Sequence, residues 1–252
     1  MTNGVVFSAW KPAPPVSAYV QSIRFLVLRG GPQDSFAVVS DPTACTELVV
    51  STRACMTDHR PDGALAEKPS DFVFGPMSSE RAATIHLDRA DETRVLSIVF
   101  HPGVFFELVR LSAHELRDRV VAADELVPGA LLRVLRAELT REGRKPGRES
   151  IQRVLVQAFA DVELPSLRLR HALRAFAAVA PHRSVPAILL GAGLSERQAQ
   201  RSFAQRIGLT PKELQRLYRF RAVARRLTGV KDSAAGTLAA LASAGGSLPQ
   251  SP

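Results

Sequence analysis

Two helical patterns follow each other between residues 184 and 207, separated by a turn of only about three residues. The first has the spacing of a buried helix face, formed by Val185, Ile188, Leu189 and Ala192. Gly193 is expected to end this helix. Ser195 and Gln198 then form a capping-box pattern that starts the next one. This arrangement predicts a helix-turn-helix.

The second of these helices, residues 195–207, has two distinct faces at 100° per residue. The apolar face contains Ala199, Phe203 and Ile207, together with Ser202. The candidate base-reading residues are Arg197, Gln198, Gln200, Arg201 and Gln205. Arginine pairs with guanine and glutamine with adenine through two hydrogen bonds in the major groove. We therefore expect these side chains to contact bases; the alternative is an ordinary solvated helix face.

The chain becomes strongly basic in its last third. Residues 166–252 contain 14 Lys and Arg against three acidic residues, a net charge of +11, whereas residues 1–165 have a net charge of −2. Thr210 and Glu213 predict a further capped helix, from Pro211 to about residue 227. It bears many arginines, of which Arg219 and Arg221 are candidate DNA contacts. Such a helix suits the phosphate backbone, although a solvated basic face remains the alternative.

The first hundred residues instead show short runs typical of β-strands, bounded by turn-forming residues. The predicted strands are residues 23–28, 36–40, 47–51, 71–74, 83–87 and 94–100. Helical patterns follow, including a capping-box pattern at Ser112–Glu115 and apolar stripes at 131–139 and 151–159. We place a domain boundary between residues 161 and 166. The predicted fold is α+β: a small β-barrel or sandwich with following helices in residues 1–164, and a helix-turn-helix domain in residues 166–252.

Several segments resemble the AraC/XylS family of bacterial transcriptional regulators. In the basic third these are Gly193-Leu-Ser-Glu-Arg-Gln-Ala-Gln-Arg-Ser-Phe203, Gly208-Leu-Thr-Pro211 and Arg219-Phe-Arg-Ala222. Upstream, residues 11–14, 16–20, 45–50, 74–76 and 98–103 resemble the β-rich N-terminal domain of one AraC-type subfamily. The resemblance implies a sensing or dimerisation domain, and two helix-turn-helix units that each place one recognition helix in the major groove of double-stranded DNA. It also implies a small-molecule effector.

Two departures from the family pattern stand out. The sizes of Leu189 and Ala199 are exchanged relative to the family, a swap that roughly conserves volume. The second unit is also short: Leu238, Leu241 and Ala242 can form its supporting helix, but residues 246–252 reach only the turn. We therefore expect the second recognition helix to be missing. An AraC-like protein impaired in DNA binding, acting through dimerisation or ligand binding, is the alternative function.

An enzyme is the rival from another class. Six histidines could hold a metal in a β-barrel: His59, His86, His101, His114, His171 and His182. No pair among them has the spacing of ligands on one strand or helix face, so we predict no metal site, no catalytic residues and no cofactor. Cys45 and Cys55 are too few for a disulfide framework or a zinc site and are expected to be buried thiols.

The sequence also indicates the protein's cellular location and its oligomeric state. No stretch has the about 20 apolar residues of a membrane span, and the N-terminus has no signal-peptide pattern, so a cytoplasmic protein is expected. Four apolar residues of the predicted helices must pack on the β-domain or on a second copy of the chain, which suggests a homodimer: Leu131, Leu135, Val154 and Leu155. Trp10, Arg24 and His101 are candidate pocket residues in the β-domain.

Overall fold

A computed structural model describes residues 4–29, 35–52, 54–59, 65–68, 71–87, 92–141, 147–179 and 183–228. Its strands are β1 (Gly4–Trp10), β2 (Val20–Arg29), β3 (Ser35–Ser40), β4 (Glu47–Ser51), β5 (Ala54–His59), β6 (Leu65–Lys68), β7 (Phe72–Phe74), β8 (Arg81–Leu87), β9 (Glu92–Phe100) and β10 (Val120–Ala122). Its helices are α1 (Phe105–Val109), α2 (Ala113–Leu116), α3 (Gly129–Thr140), α4 (Arg148–Ala158), α5 (Leu167–Val179), α6 (Val185–Gly191), α7 (Glu196–Arg206) and α8 (Pro211–Thr228). Short 3-10 helices occupy Val16–Ala18 and Ala123–Glu125.

The strands form two antiparallel sheets. One has the order β1-β2-β9-β4-β7-β10 and the other β3-β8-β5-β6. Alternation along β2 sends Phe25 and Val27 to one face of the first sheet and Leu26 and Leu28 to the other. The second face shares a buried cluster with Ile85 of β8, so the two sheets pack face to face as a sandwich.

The opposite face of the first sheet is covered by helices. Residues of α1, α3 and α4 complete its buried cluster, which includes Phe105, Leu131, Leu135, Ile151 and Leu155. The architecture is therefore α+β, as the sequence predicts. The residues that suggested self-association contribute here to the chain's own core: Leu131, Leu135 and Leu155 are buried and Val154 is half-buried. They therefore give no reason to expect a partner, and the homodimer stays a prediction.

Each predicted strand corresponds to an observed one, but β1, β5, β6 and β10 were not predicted. The capping box predicted at Ser112–Glu115 is wrong, because the Ser112 side chain makes no cap hydrogen bond. The helix that starts there, α2, is only 4 residues long. Cys45 is buried, and burial raises the pKa of its thiol. The Cys55 side chain lies outside the described residues. Among the helices that are described, none is both long and apolar enough to cross a membrane.

An ion pair lies inside the sandwich. Arg24 and Glu47 are both almost fully buried, with 3.6 Å between the guanidinium and carboxylate atoms. Arg24 projects to the same side of β2 as Leu26, opposite Ser97 on β9, and the Ser97 hydroxyl donates to Glu47. Removing one member of such a pair leaves a buried charge without its counter-ion, which is more costly than replacing both.

We predict that Arg24→Ala lowers the free energy of unfolding of the β-domain by about 3–5 kcal/mol, because Glu47 would stay buried. The double variant Arg24→Met/Glu47→Leu should recover most of that loss. Urea unfolding followed by circular dichroism measures both. A single variant as stable as the wild type would contradict the prediction.

Candidate nucleic-acid interface

The helices of the basic third pack around two aromatic rings. Phe176 of α5 and Phe203 of α7 meet edge to face with centroids 5.8 Å apart, and both side chains are fully buried. Leu189 and Ala199, the pair with exchanged sizes, are buried in the same cluster. Helix α5 was not predicted, although its buried residues have helical spacing: Leu169, Ala172, Leu173 and Phe176.

Helix α6 begins and ends with clear capping interactions. The Ser184 hydroxyl accepts a hydrogen bond from the Ala187 amide at 3.4 Å. At the other end Gly193 has φ +70°, a left-handed conformation that favours glycine. The Gly193 amide donates to the Leu190 carbonyl and the Leu194 amide to the Leu189 carbonyl, each at 2.9 Å. This is a Schellman motif, and it turns the chain sharply into α7.

Helix α7 starts with the predicted capping box. The Gln198 backbone N–H donates to the Ser195 hydroxyl at 3.3 Å, and the Ser195 backbone N–H donates to the Gln198 side-chain oxygen at 3.1 Å. These reciprocal bonds fix the first turn of α7. Pairing with adenine needs both the oxygen and the nitrogen of a glutamine side chain. In this conformation Gln198 therefore serves as a cap and does not offer a free bidentate group.

The remaining candidates on α7 point into solvent. Ala199, Phe203 and Ile207 are fully buried, which confirms the predicted apolar face. The exposed side chains are Arg197, Gln198, Gln200, Arg201, Ala204 and Gln205. Gln205 also lines a cleft against the first domain, together with Glu107 and Arg206. The helix thus presents a row of arginine and glutamine whose positions are set by its buried side.

Helix α8 divides its basic residues between two sides. Lys212, Arg216 and Arg219 are exposed and follow one stripe. Arg221 lies one turn after the buried Leu217 and is half-buried. Burial raises the pKa of the Cys45 thiol, and the positive charge of Arg221 opposes this rise. Arg221 is therefore close enough to the β-domain for its charge to act there, whereas Lys212, Arg216 and Arg219 are exposed.

Two ion pairs join α7 and α8 to the first domain. Arg206 at the end of α7 pairs with Glu107 of α1. Arg117 donates two hydrogen bonds, of 2.6 and 3.2 Å, to Glu213 in the first turn of α8. Glu213 also accepts from the Thr210 amide at 2.8 Å, so the predicted cap of α8 is confirmed and doubles as a docking contact. Between them, Gly208 packs so closely that a Cβ would lie 2.7 Å from the Ala113 carbonyl oxygen.

The six histidines do not form a metal site in the described part of the chain, where no three His, Cys, Asp or Glu side chains could share an ion. His86 pairs with the Thr57 hydroxyl at 2.9 Å, and His101 with the Ser17 carbonyl at 3.2 Å. His114 and His171 are exposed. The side chains of His59 and His182 lie outside the described residues, and so do residues 229–252, on which the prediction about the second unit falls.

The three candidate pocket residues have different surroundings. The Arg148 guanidinium lies over the Trp10 ring, 5.1 Å from its centroid. Arg24 is in the buried ion pair with Glu47. His101 lines a cavity at the junction with α5.

Comparison with known proteins gives one family and several structures. Residues 8–122 match a family described as a domain of unknown function (DUF6597), a span that runs from β1 to the end of β10. No curated protein matches the sequence significantly. A crystal structure of ToxT from Vibrio cholerae has 12% identity and a TM-score of 0.43 over 83% of this chain and 85% of that chain.

Two further structures are similar at the same low level. ToxT from Vibrio cholerae with bound unsaturated fatty acid has 10% identity and a TM-score of 0.41, over 92% of this chain and 84% of that one. The AraC-like transcriptional activator CuxR has 13% identity and a TM-score of 0.34, over 91% and 83%. These scores are too low to transfer a function, so the functional argument starts from the residues of α7 and α8.

The docking contact of Glu213 predicts a pH dependence. Burial raises the pKa of Glu213, but hydrogen bonds from the Thr210 amide and from Arg117 outweigh it, and the pKa is lowered below 4.5 overall. A lowered carboxyl pKa stabilises the folded state fully above the unfolded-state value, and this stabilisation is lost as the pH falls through the folded-state value.

We therefore expect Glu213→Gln to be less stable than the wild type at neutral pH. The difference should shrink as the pH falls below 4.5, the ordinary value for this carboxyl. Urea unfolding across this range measures it. Glu125→Gln, at an exposed position of a 3-10 helix, is the matched control and should show no such trend. A stability difference that is independent of pH would contradict the assigned contact.

Proposed function

We propose that this chain is a sequence-specific DNA-binding transcriptional regulator of the AraC type, which reads the major groove with residues 195–207. The observation that supports this most is the exposed row of Arg197, Gln200, Arg201 and Gln205 on a helix fixed by its caps and buried face. In this proposal residues 1–164 form the sensing or dimerisation domain, and residues 166–252 the DNA-binding domain.

The spacing of the two arginines suits adjacent base contacts. Arg197 and Arg201 lie four residues apart, which is about 6 Å along a helix axis. Two base-pair steps rise by about 6.8 Å along one strand, so both guanidinium groups can reach bases of the same half-site. Each can donate two hydrogen bonds to a guanine, and Gln200 or Gln205 can bind adenine.

The stripe of Lys212, Arg216 and Arg219 on α8 supplies the second element of the proposal. Lysine and arginine neutralise phosphates without reading sequence, and they orient the reading helix on the duplex. Gln215 holds α8 in place, because its side-chain nitrogen donates to the Arg183 carbonyl at 2.6 Å, just before α6. Phosphate contacts on α8 would therefore position α6 and α7 as one body.

We expect Arg201→Ala to weaken binding to a duplex selected from a random pool by about 1–3 kcal/mol, because a bidentate base contact is lost. Binding to unselected duplex should change much less. Fluorescence anisotropy at fixed salt measures both affinities. Arg133→Ala removes the same charge from an exposed position of α3 and is the matched control.

The comparison with Arg216→Gln separates base contacts from phosphate contacts. This variant should weaken binding to selected and unselected duplex alike and should reduce the salt dependence of the affinity. If Arg201→Ala behaves in the same way as Arg216→Gln, α7 does not read bases. A wild type with no preference for any selected duplex would contradict the proposal and favour the AraC-like protein impaired in DNA binding.

A further inference from the structure

The cleft between α7 and the first domain lies at the end of the proposed reading surface. It has a volume of about 540 Å³ and is lined by α1, by the turn after α1, by the segment that connects α4 to α5, and by the end of α7. Gln205 lies one turn after Arg201, so the row of exposed side chains on α7 leads into this cleft. A ligand that follows α7 therefore meets residues of the β-domain at the C-terminal end of the helix.

The length of α7 indicates which part of a duplex lies at that end. The helix has 11 residues and is about 16 Å long, whereas the major groove is about 12 Å wide. In helix-turn-helix proteins the N-terminal residues of the recognition helix contact the base edges. With Arg197 and Arg201 over the bases, the C-terminal end of α7 reaches the wall of the groove, which consists of phosphates.

Arg110 is an exposed arginine in the lining of this cleft, directly after α1. The two other arginines of residues 105–120 are bound within the protein: Arg117 donates to Glu213, and Arg119 donates to the Glu115 carbonyl at 3.1 Å. The Arg110 guanidinium has no hydrogen bond or ion pair within the part of the chain that the structure describes. It is therefore available to a ligand.

The backbone at Arg110 gives no reason for an arginine. This residue is the C-cap of α1 and lies in the left-handed region, with φ 55° and ψ 32°. Its backbone N–H donates to the Phe106 carbonyl at 2.8 Å, a bond that any residue type could make. Glycine is the usual residue at such a helix end, because a Cβ is unfavourable in this conformation. The long charged side chain is thus unrelated to the requirements of the turn.

The acidic residues of the cleft restrict where a phosphate can lie. Glu107 pairs with Arg206, so its charge is compensated. Asp161 and Glu163 are exposed and line the side formed by the connecting segment. Because negative charges repel each other, these two carboxylates disfavour a phosphate within the cleft itself. The exposed Arg110 guanidinium can instead meet a phosphate on the solvent side.

We propose that Arg110 binds a DNA phosphate beside the C-terminal end of α7, so that the β-domain forms part of the DNA-binding surface. Arginine binds phosphate oxygens through paired N–H donors. Ser112 also lines the cleft, its hydroxyl makes no cap hydrogen bond, and serine is a common phosphate donor in protein–DNA contacts. This inference rests on the proposed function, since it adds a positioning contact to the same interface.

Two contacts hold Arg110 at a fixed distance from α7. Three residues before it, Glu107 pairs with Arg206, and three residues after it, the Ala113 carbonyl packs against Gly208. Because the chain is attached to the end of α7 on both sides of Arg110, its guanidinium and the exposed face of α7 approach a duplex as one surface. The phosphate contact therefore helps to set the depth and register of α7 in the groove.

Arg110→Gly tests the contact without disturbing the turn, because glycine suits the left-handed backbone. We expect this variant to unfold at a urea concentration no lower than that of the wild type. It should nevertheless bind duplex about tenfold more weakly at about 50 mM salt and about threefold more weakly at about 200 mM, since one lost phosphate contact changes the salt slope by about 0.9. Fluorescence anisotropy should show the same loss for selected and unselected duplex, because phosphate contacts do not read sequence.

Three further variants separate charge from structure. Arg110→Lys keeps the charge and should retain most of the wild-type affinity. Arg133→Gln, at an exposed position of α3 outside the cleft lining, is the matched control and should bind like the wild type. Asp161→Asn/Glu163→Gln should strengthen binding to both duplexes, because it removes the repulsion. If Arg110→Gly does not fold, Arg110→Asn replaces it, since asparagine also tolerates the left-handed region.

Ethylation of single phosphates in the selected duplex locates the contact. Ethylation removes the negative charge, so it weakens binding wherever the protein contacts that phosphate. Arg110→Gly should become insensitive to ethylation at one phosphate at the edge of the half-site and keep the sensitivity of the wild type elsewhere. An ethylation pattern and salt slope equal to those of the wild type would overturn this inference and leave the proposed function intact. A wild type that binds no DNA would overturn the proposed function and this contact with it.

Discussion

The contact between Phe176 and Phe203 is the interaction on which the candidate interface depends. Helix α7 has few apolar residues, and its buried side consists of Ala199 and Phe203, followed by Ile207 at the C-cap. Phe203 supplies most of the apolar surface that holds the helix against α5. The Schellman turn at Gly193 and the Ser195 capping box then fix where α7 starts and in which direction it runs. Because these constraints use only buried or capping groups, the exposed arginines are left available for a ligand.

The same helix is also tied to the β-domain. Arg206 pairs with Glu107, Glu213 accepts from Arg117, and Gly208 allows α2 to approach within van der Waals contact. All of these contacts lie at the C-terminal end of α7 or at the start of α8, whereas Arg197 lies in the first turn of α7 and Arg201 at its midpoint. Docking and the proposed contacts of Arg197 and Arg201 therefore use different parts of the helix.

The sequence predicts the helix-turn-helix well because its signals are local. Glycine at Gly193, a hydroxyl at Ser195 and an acidic partner at Glu213 each act within one helical turn, so position alone indicates the structure. The omitted strands are different: β6 has only four residues and β10 three, and neither alternates. β10 exists through pairing with the distant β7, and β6 through pairing with β5, the preceding strand, which is itself not predicted. Helix α5 has an apolar stripe of helical spacing, and this local signal is sufficient to indicate it. The orientation of Arg221 depends on which neighbour its side chain meets, and its charge does not reveal that. The use of Gln198 as a cap is different, because the capping-box pattern indicates it directly.

The central claim, that α7 enters the major groove, is tested most directly by dimethyl sulfate protection of a selected duplex. This reagent methylates guanine N7 in the major groove and adenine N3 in the minor groove, so it distinguishes the two sides of the DNA. The account predicts that the wild type protects guanine N7 at neighbouring positions and that Arg201→Ala loses protection at one of them while the others remain. Protection of adenine N3 alone, or a guanine pattern unchanged by substitution of both Arg197 and Arg201, would contradict it.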